Sequence, residues 1–230
     1  MKIKINILVF VLVVATFLGG CNMKKAFKNQ EEAQEYVLSC MEQKYGETFI
    51  ITDEGDYNNY GPFYGNTYTC EVASEDAPEK SAKVLVRESG SLEDNWAVYY
   101  FEDSIVSEVK QNLIDDEDIQ MKEISLAAPT TTERWKESDD QEEYLLNSGA
   151  YVEIVAECEE GLTSYEYAKI IENFLRPVYQ LKVNTEISVK VGRTYIFFEK
   201  IQVAGNSPTA PLSVEQIEKR VNDMISSSPF

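Results

Sequence analysis

The stretch richest in side chains able to bind or react runs Asp53-Glu54-Gly55-Asp56-Tyr57-Asn58-Asn59-Tyr60-Gly61-Pro62-Phe63-Tyr64-Gly65-Asn66. It reads as a loop carrying carboxylates and aromatic rings on a Gly/Asn background. Counted from Asp56, Asn58 and Gly61 fall on the third and sixth positions of an EF-hand calcium loop. Tyr60 then occupies the fifth position. Thr67 stands at the twelfth, where a bidentate Glu is required, so the EF-hand reading fails. The rings of Tyr57, Tyr60, Phe63 and Tyr64 are the better candidates for ligand binding. Aromatics on a Gly/Asn loop have the chemistry of an antibody-like contact surface or of a platform that stacks on sugars. The same rings would also serve to cover the end of a sheet.

Other chemistry is narrowed by what is absent. The chain has no histidine, which excludes Ser-His-Asp and Cys-His machinery, His-containing zinc sites and an imidazole base. No nucleophile elbow, phosphate loop, CxxC or HExxH occurs. Cys158 as a nucleophile would sit beside Glu157, Glu159 and Glu160, which oppose thiolate formation. A pair of carboxylates could hydrolyse a glycosidic bond, but the chain has 40 acidic residues and their abundance selects no pair. No catalytic residue, metal site or cofactor is therefore assigned, and a non-catalytic protein is expected.

The amino terminus is more specific. Lys2 and Lys4 precede a nearly unbroken apolar run from Ile5 to Leu18, followed by Gly19, Gly20 and Cys21. This is the charged, apolar and small-residue order of a secretory signal. The ending Leu18-Gly19-Gly20-Cys21 resembles the lipobox of bacterial lipoproteins. That resemblance implies cleavage after residue 20 and a diacylglycerol on the Cys21 thiol. Two acyl chains suffice for stable anchoring where one does not. It also implies a location at the cell membrane, on its extracytoplasmic face, like the small lipoproteins of bacterial surfaces. As an uncleaved span the run is short, since crossing a bilayer takes roughly 18 or more apolar residues.

The formal net charge is -19, and removing residues 1–20 takes away two more positive charges, those of Lys2 and Lys4. Such a surface is repelled by nucleic acid and gains nothing from an anionic bilayer. The expected partners are the membrane, through the lipid on Cys21, and a surface protein or cell-wall ligand. The rival readings are a carboxylate-dependent hydrolase of a wall glycan and a structural spacer.

The elements that would carry these residues form two halves. After a short tether (21–28), Asn29 caps a helix over 30–45 whose Ala33, Tyr36, Val37, Cys40, Met41 and Tyr45 share a face. Short strands follow around Phe49–Ile51, Thr67–Val72, Ala82–Arg87 and Trp96–Phe101, then a helix from Ser104 to Leu113. Residues 29–114 read as an N-terminal α+β domain, and 115–149 as an acidic and polar linker with Trp135 as its apolar exception. Residues 150–230 form a second α+β domain. It has a strand at 150–158 and a Thr163/Glu166 capping box opening a helix that stops before Pro177. A hairpin turning at Gly192-Arg193 follows, then a last helix capped by Ser213 and Gln216. The fold class is α+β, a helix packed on an antiparallel sheet, with a resemblance to cystatin-like modules in both halves that implies no activity. Beyond Cys21, an odd set of three cysteines allows a Cys40–Cys70 bridge or three buried thiols.

Overall fold

A computed structural model describes residues 26–60, 65–113, 118–203 and 209–227. Among these the protein is α+β, with five helices and two four-stranded sheets. It divides into two units. The first holds the chain up to Trp96 together with Thr130–Arg134, and the second holds Ala97–Pro129 and everything from Trp135 onward. The boundary therefore falls well before the 115–149 segment expected to be a linker.

The first unit is a helix on an antiparallel meander. Helix α1 (Gln30–Tyr45) starts where the Asn29 side chain accepts the Glu32 N–H and ends at Gly46, whose φ of 79° suits glycine. Strands β1 (Phe49–Asn59), β2 (Asn66–Ser74), β3 (Ala77–Arg87) and β4 (Leu92–Asp94) pair in sequence order. Ala33, Val37 and Met41 of α1 are buried with Phe49, Tyr68, Cys70, Val72, Ala82, Val84 and Val86 of the sheet.

The stretch read as an acidic loop is largely strand. β1 continues through Asp53, Glu54 and Asp56 because bulges absorb its irregularity between Ile51 and Asp53 and again between Asp53 and Asp56. Gly55 makes this geometry feasible. Its φ is 58°, and a Cβ there would lie 1.9 Å from the Thr69 carbonyl oxygen. The charged residues keep this sheet edge from pairing with other chains.

The buried Asp94 carboxylate closes the unit. It accepts from Lys44 Nζ at 2.7 Å, the Tyr45 hydroxyl at 2.6 Å and the Trp96 N–H at 3.1 Å. Its backbone pairs with that of Thr131 in both directions, which ties the 130–134 strap to the edge of β4.

The apolar run Trp96–Phe101, at the start of the second unit's chain, is not a strand: Trp96 ends the first unit's segment and Ala97 opens the second. The run leads into helix α2 (Val98–Asn112), which buries Val98, Phe101, Ile105, Val106 and Val109. A continuous apolar run has no period of its own, and here helical packing decides it. The expected linker also holds structure, namely β5 (Ile119–Ala127) and the short helix α3 (Gln141–Asn147). They precede β6 (Tyr151–Cys158), α4 (Ser164–Val178), β7 (Thr185–Val191), β8 (Thr194–Ile201) and α5 (Val214–Ser227).

This second sheet runs in the order β5-β6-β7-β8 and is mixed rather than antiparallel. β6 and β7 are parallel because α4 crosses between them, while β5/β6 and β7/β8 are antiparallel. Burial along β6 alternates strictly, so one face is packed and the other only partly covered. The Thr163/Glu166 capping box forms as read. Pro177 lies inside the last turn of α4 instead of ending it. The apolar alternation of the sequence runs from Leu181 through Val183, Ile187, Val189 and Val191, but the strand β7 begins only at Thr185. The hairpin turns at Gly192, with φ 58°. In this unit the buried Glu199 of β8 pairs with Arg220 of α5.

Replacing Asp94 by Ala would strand Lys44, whose side chain is only 12% exposed. Urea unfolding should show a loss of about 3–5 kcal/mol. Gly55→Ala should also lower the transition, since the β1–β2 pairing must open to admit the methyl group.

Candidate functional site

The four candidate aromatics do not form one described surface. Phe63 and Tyr64 lie outside the described residues, as does Cys21. Tyr57 pairs with Tyr68 across β1–β2 and so points to the helix side of the sheet. Its ring meets Phe27 edge-on with centroids 6.2 Å apart, and its hydroxyl donates to the Lys28 carbonyl at 3.0 Å. Burial, then the negative charge of Glu88, push its phenol above the ordinary value. Tyr57 is therefore a packing residue. Tyr60, at the tip, is 59% exposed and keeps the character expected of a contact residue.

The segment read as a tether is partly docked. Phe27 is completely buried, 6.4 Å from the Tyr36 ring, and the Ala26 N–H donates to the Glu88 carbonyl at 3.0 Å. Nothing in the apolar pattern announced this, because one isolated Phe beside lysines has no period.

Among the described residues the cysteines form no bridge. Cys40, Cys70 and Cys158 are thiols, which corrects the Cys40–Cys70 pairing. Cys70 points into the core opposite Val84, while Cys40 is half-buried on α1. Burial pushes the Cys70 and Cys158 thiols from 9.0 to about 12, with Asp53 adding to the first and Asp118 to the second. A hydrogen bond from Tyr68 offsets part of the Cys70 shift. Thiols so placed are protonated at neutral pH and poor nucleophiles.

Among the candidate acidic residues, Asp53 is committed to its own turn. Asp53 turns back to accept the Gly55 N–H at 3.0 Å. Among the described residues, no group of three or more Cys, Asp or Glu side chains is arranged to hold a metal ion. The buried carboxylates, Asp94 and Glu199, are each neutralised by a cation in their own unit.

The concave surface with binding character lies in the second unit, in the segment that sequence reasoning assigned to a linker. Asp140 caps α3 by accepting the Glu143 N–H at 2.9 Å. Tyr144 anchors the helix. It is 1% exposed, stacks on Phe101 at 4.3 Å and meets Trp135 edge-on at 5.3 Å. Trp135 thus docks within this unit. Two polar links clip α3 to α2. Ser104 Oγ donates to Gln141 Oε1 at 2.6 Å, and Gln141 Nε2 donates to Glu108 Oε2 at 3.2 Å.

This arrangement leaves a groove of about 270 Å³. Its floor and walls include Ile105, Val109, Leu145, Leu181, Val183 and Val203, with Leu146 at the lip, 64% exposed. Glu108, Glu142 and Lys182 stand at the rim, where Glu142 and Lys182 form a solvated pair at 4.0 Å. An apolar trough with a sparse polar rim binds side chains and offers little for bond-making chemistry. The signal that could have found it is Asp140 followed by Tyr144-Leu145-Leu146, a cap and an apolar triplet. A seven-residue helix is too short for periodicity to declare.

No family model matches this chain, and no curated protein matches it. Among solved structures, the crystal structure of a DUF5037 family protein from Ruminococcus gnavus ATCC 29149 is similar. It is 10% identical, with a TM-score of 0.39, over 83% of this chain and 99% of that one.

Two measurements separate packing from contact. Tyr57→Ala should cost about 2 kcal/mol in urea unfolding by losing ring packing and a hydrogen bond, whereas Tyr60→Ala should stay within about 0.5 kcal/mol. Because the folded Cys70 and Cys158 thiols titrate well above those of the unfolded chain, the folded state holds more protons between 9.0 and about 12. Stability should therefore fall as pH rises through that window. Below it, iodoacetamide should modify both cysteines only after denaturation.

Proposed function

We propose that this chain is a lipid-anchored, extracytoplasmic binding module, held to the membrane through Cys21, that docks a protein segment in the groove between α2 and α3. The observation that carries the reading is the exposed Leu146 at the lip of an apolar trough. Large apolar side chains gathered around a concavity mark interaction sites more often than singly scattered ones do. The occupant is a peptide segment with apolar side chains flanked by Lys or Arg. Glu108 and Glu142 outnumber Lys182 at the rim and so favour such flanks, and the net charge of -19 draws cationic partners from a distance. The lipid anchor rests on the Leu18-Gly19-Gly20-Cys21 pattern. Among the described residues no helix is long and apolar enough to cross a membrane.

The test is cross-linking in cells followed by mass spectrometry, with wild type, Cys21→Ala and Leu146→Asp. Recovery of one surface protein, dependent on Cys21 and reduced about tenfold or more by Leu146→Asp, is the expected result for a central apolar contact. Recovery unchanged by Leu146→Asp would remove the groove as the contact. Glycan alone in the recovered fraction would replace the protein partner with a wall polymer.

A further inference from the structure

The docking of Ala26 and Phe27 sets how the first unit stands on a membrane. We infer that the end of this unit carrying Tyr60 and the Glu88–Ser91 turn lies against the bilayer surface, with Tyr60 at the headgroup level. The inference rests on lipidation at Cys21 as proposed above. From Cys21 to Ala26 the chain makes five steps, which span at most about 18 Å when fully extended. A unit of this size is about 30 Å across. The leash is thus shorter than the body it holds.

What lies next to the leash is determined by hydrogen bonds. Ala26 bonds to the Glu88 carbonyl, and Glu88 exchanges bonds with Asn66 through its backbone N–H at 2.8 Å and its carboxylate at 2.9 Å. Asn66 pairs with Asn59, the neighbour of Tyr60, and the Tyr60 N–H donates to the Gly65 carbonyl. Tyr60 therefore sits about three strand spacings from the leash, roughly 14 Å, at the same end of the sheet. On the other side, the Tyr36 hydroxyl donates to the Gly90 carbonyl at 3.0 Å, which fixes the Glu88–Ser91 turn to α1. Phe27, wedged by Tyr36 and Tyr57, keeps the leash from peeling back.

The chemistry of this end suits an interface. An exposed tyrosine presents an apolar ring and a polar tip, the pattern favoured at the headgroup level. The contact rests on the ring rather than on charge, since the exposed Lys28 at this end is accompanied by the carboxylates of Glu32 and Glu88. The opposite end of the same strand, marked by Ile50 at 38% exposure, lies nine or so residues away, about 30 Å along β1.

The test uses the full lipidated chain in phosphatidylcholine–phosphatidylglycerol vesicles containing spin-labelled lipid as a fluorescence quencher. Tyr60→Trp and Ile50→Trp are compared with wild type, whose Trp96 and Trp135 are buried. Lipid-dependent quenching of the new tryptophan at 60 and not at 50 is expected. A long Gly/Ser insertion between Lys25 and Ala26 should abolish it while the lipid stays attached. Equal quenching at both positions, quenching at 50 alone, none at either, or quenching that survives the insertion would each overturn the placement. Intact mass separates the two levels. A chain without diacylglycerol on Cys21 fails the anchoring proposal itself and the placement with it, whereas a lipidated chain without the quenching pattern fails the placement alone.

Discussion

The first unit depends on one buried carboxylate. Asp94 has no solvent around it, so the cost of taking its charge out of water must be met by protein groups. Lys44 supplies the opposite charge, while Tyr45 and the Trp96 N–H supply hydrogen bonds. The arrangement joins the C-terminal end of α1 to the last strand, and the Asp94 backbone holds the Thr131 strap. Apolar packing alone would let a helix slide on a sheet. A carboxylate with several directional partners does not. In the second unit Glu199 and Arg220 play the corresponding part between β8 and α5.

That division of labour leaves each unit's candidate contact features on surfaces that the buried pairs do not use. In the first unit the sheet edge is charged and bulged, so β1 is poorly suited to adding another strand. What it offers instead is its tip. In the second unit, the Phe101–Tyr144–Trp135 aromatic cluster holds α3 while leaving Leu145 and Leu146 to line a trough. A helix of two turns has no stability of its own. It persists because Tyr144 is buried among rings, and the groove is a by-product of that anchoring.

Part of the candidate site was legible in residue type alone. Tyr60 was singled out for being aromatic on a Gly/Asn background, and it is exposed. Tyr57 had the same signature and is packed, because the strand register places it opposite Tyr68 and over Phe27, about thirty residues earlier in the chain. The groove was not legible. Its lining comes from α2, α3, the α4–β7 connection and Val203, brought together only after folding. The cysteines show the same limit. Cys40 and Cys70 belong to one unit, as expected, yet sharing a unit does not put two sulfurs at bonding distance.

The sequence by itself determined what depends on neighbours within about one helical turn. Asn29 starts α1 and Gly46 ends it, Thr163 and Glu166 open α4, Ser213 and Gln216 open α5, and Gly192 turns the last hairpin. The α+β class follows from the alternation of these elements. Tertiary structure decided the rest. It turned Trp96–Phe101 into the approach and start of α2, extended β1 through an acidic run, made the second sheet mixed and moved the unit boundary to Trp96. The reason is one of range. Caps and turns are satisfied by groups a few residues apart, whereas strand register, burial and charge pairing are settled between residues tens of positions apart.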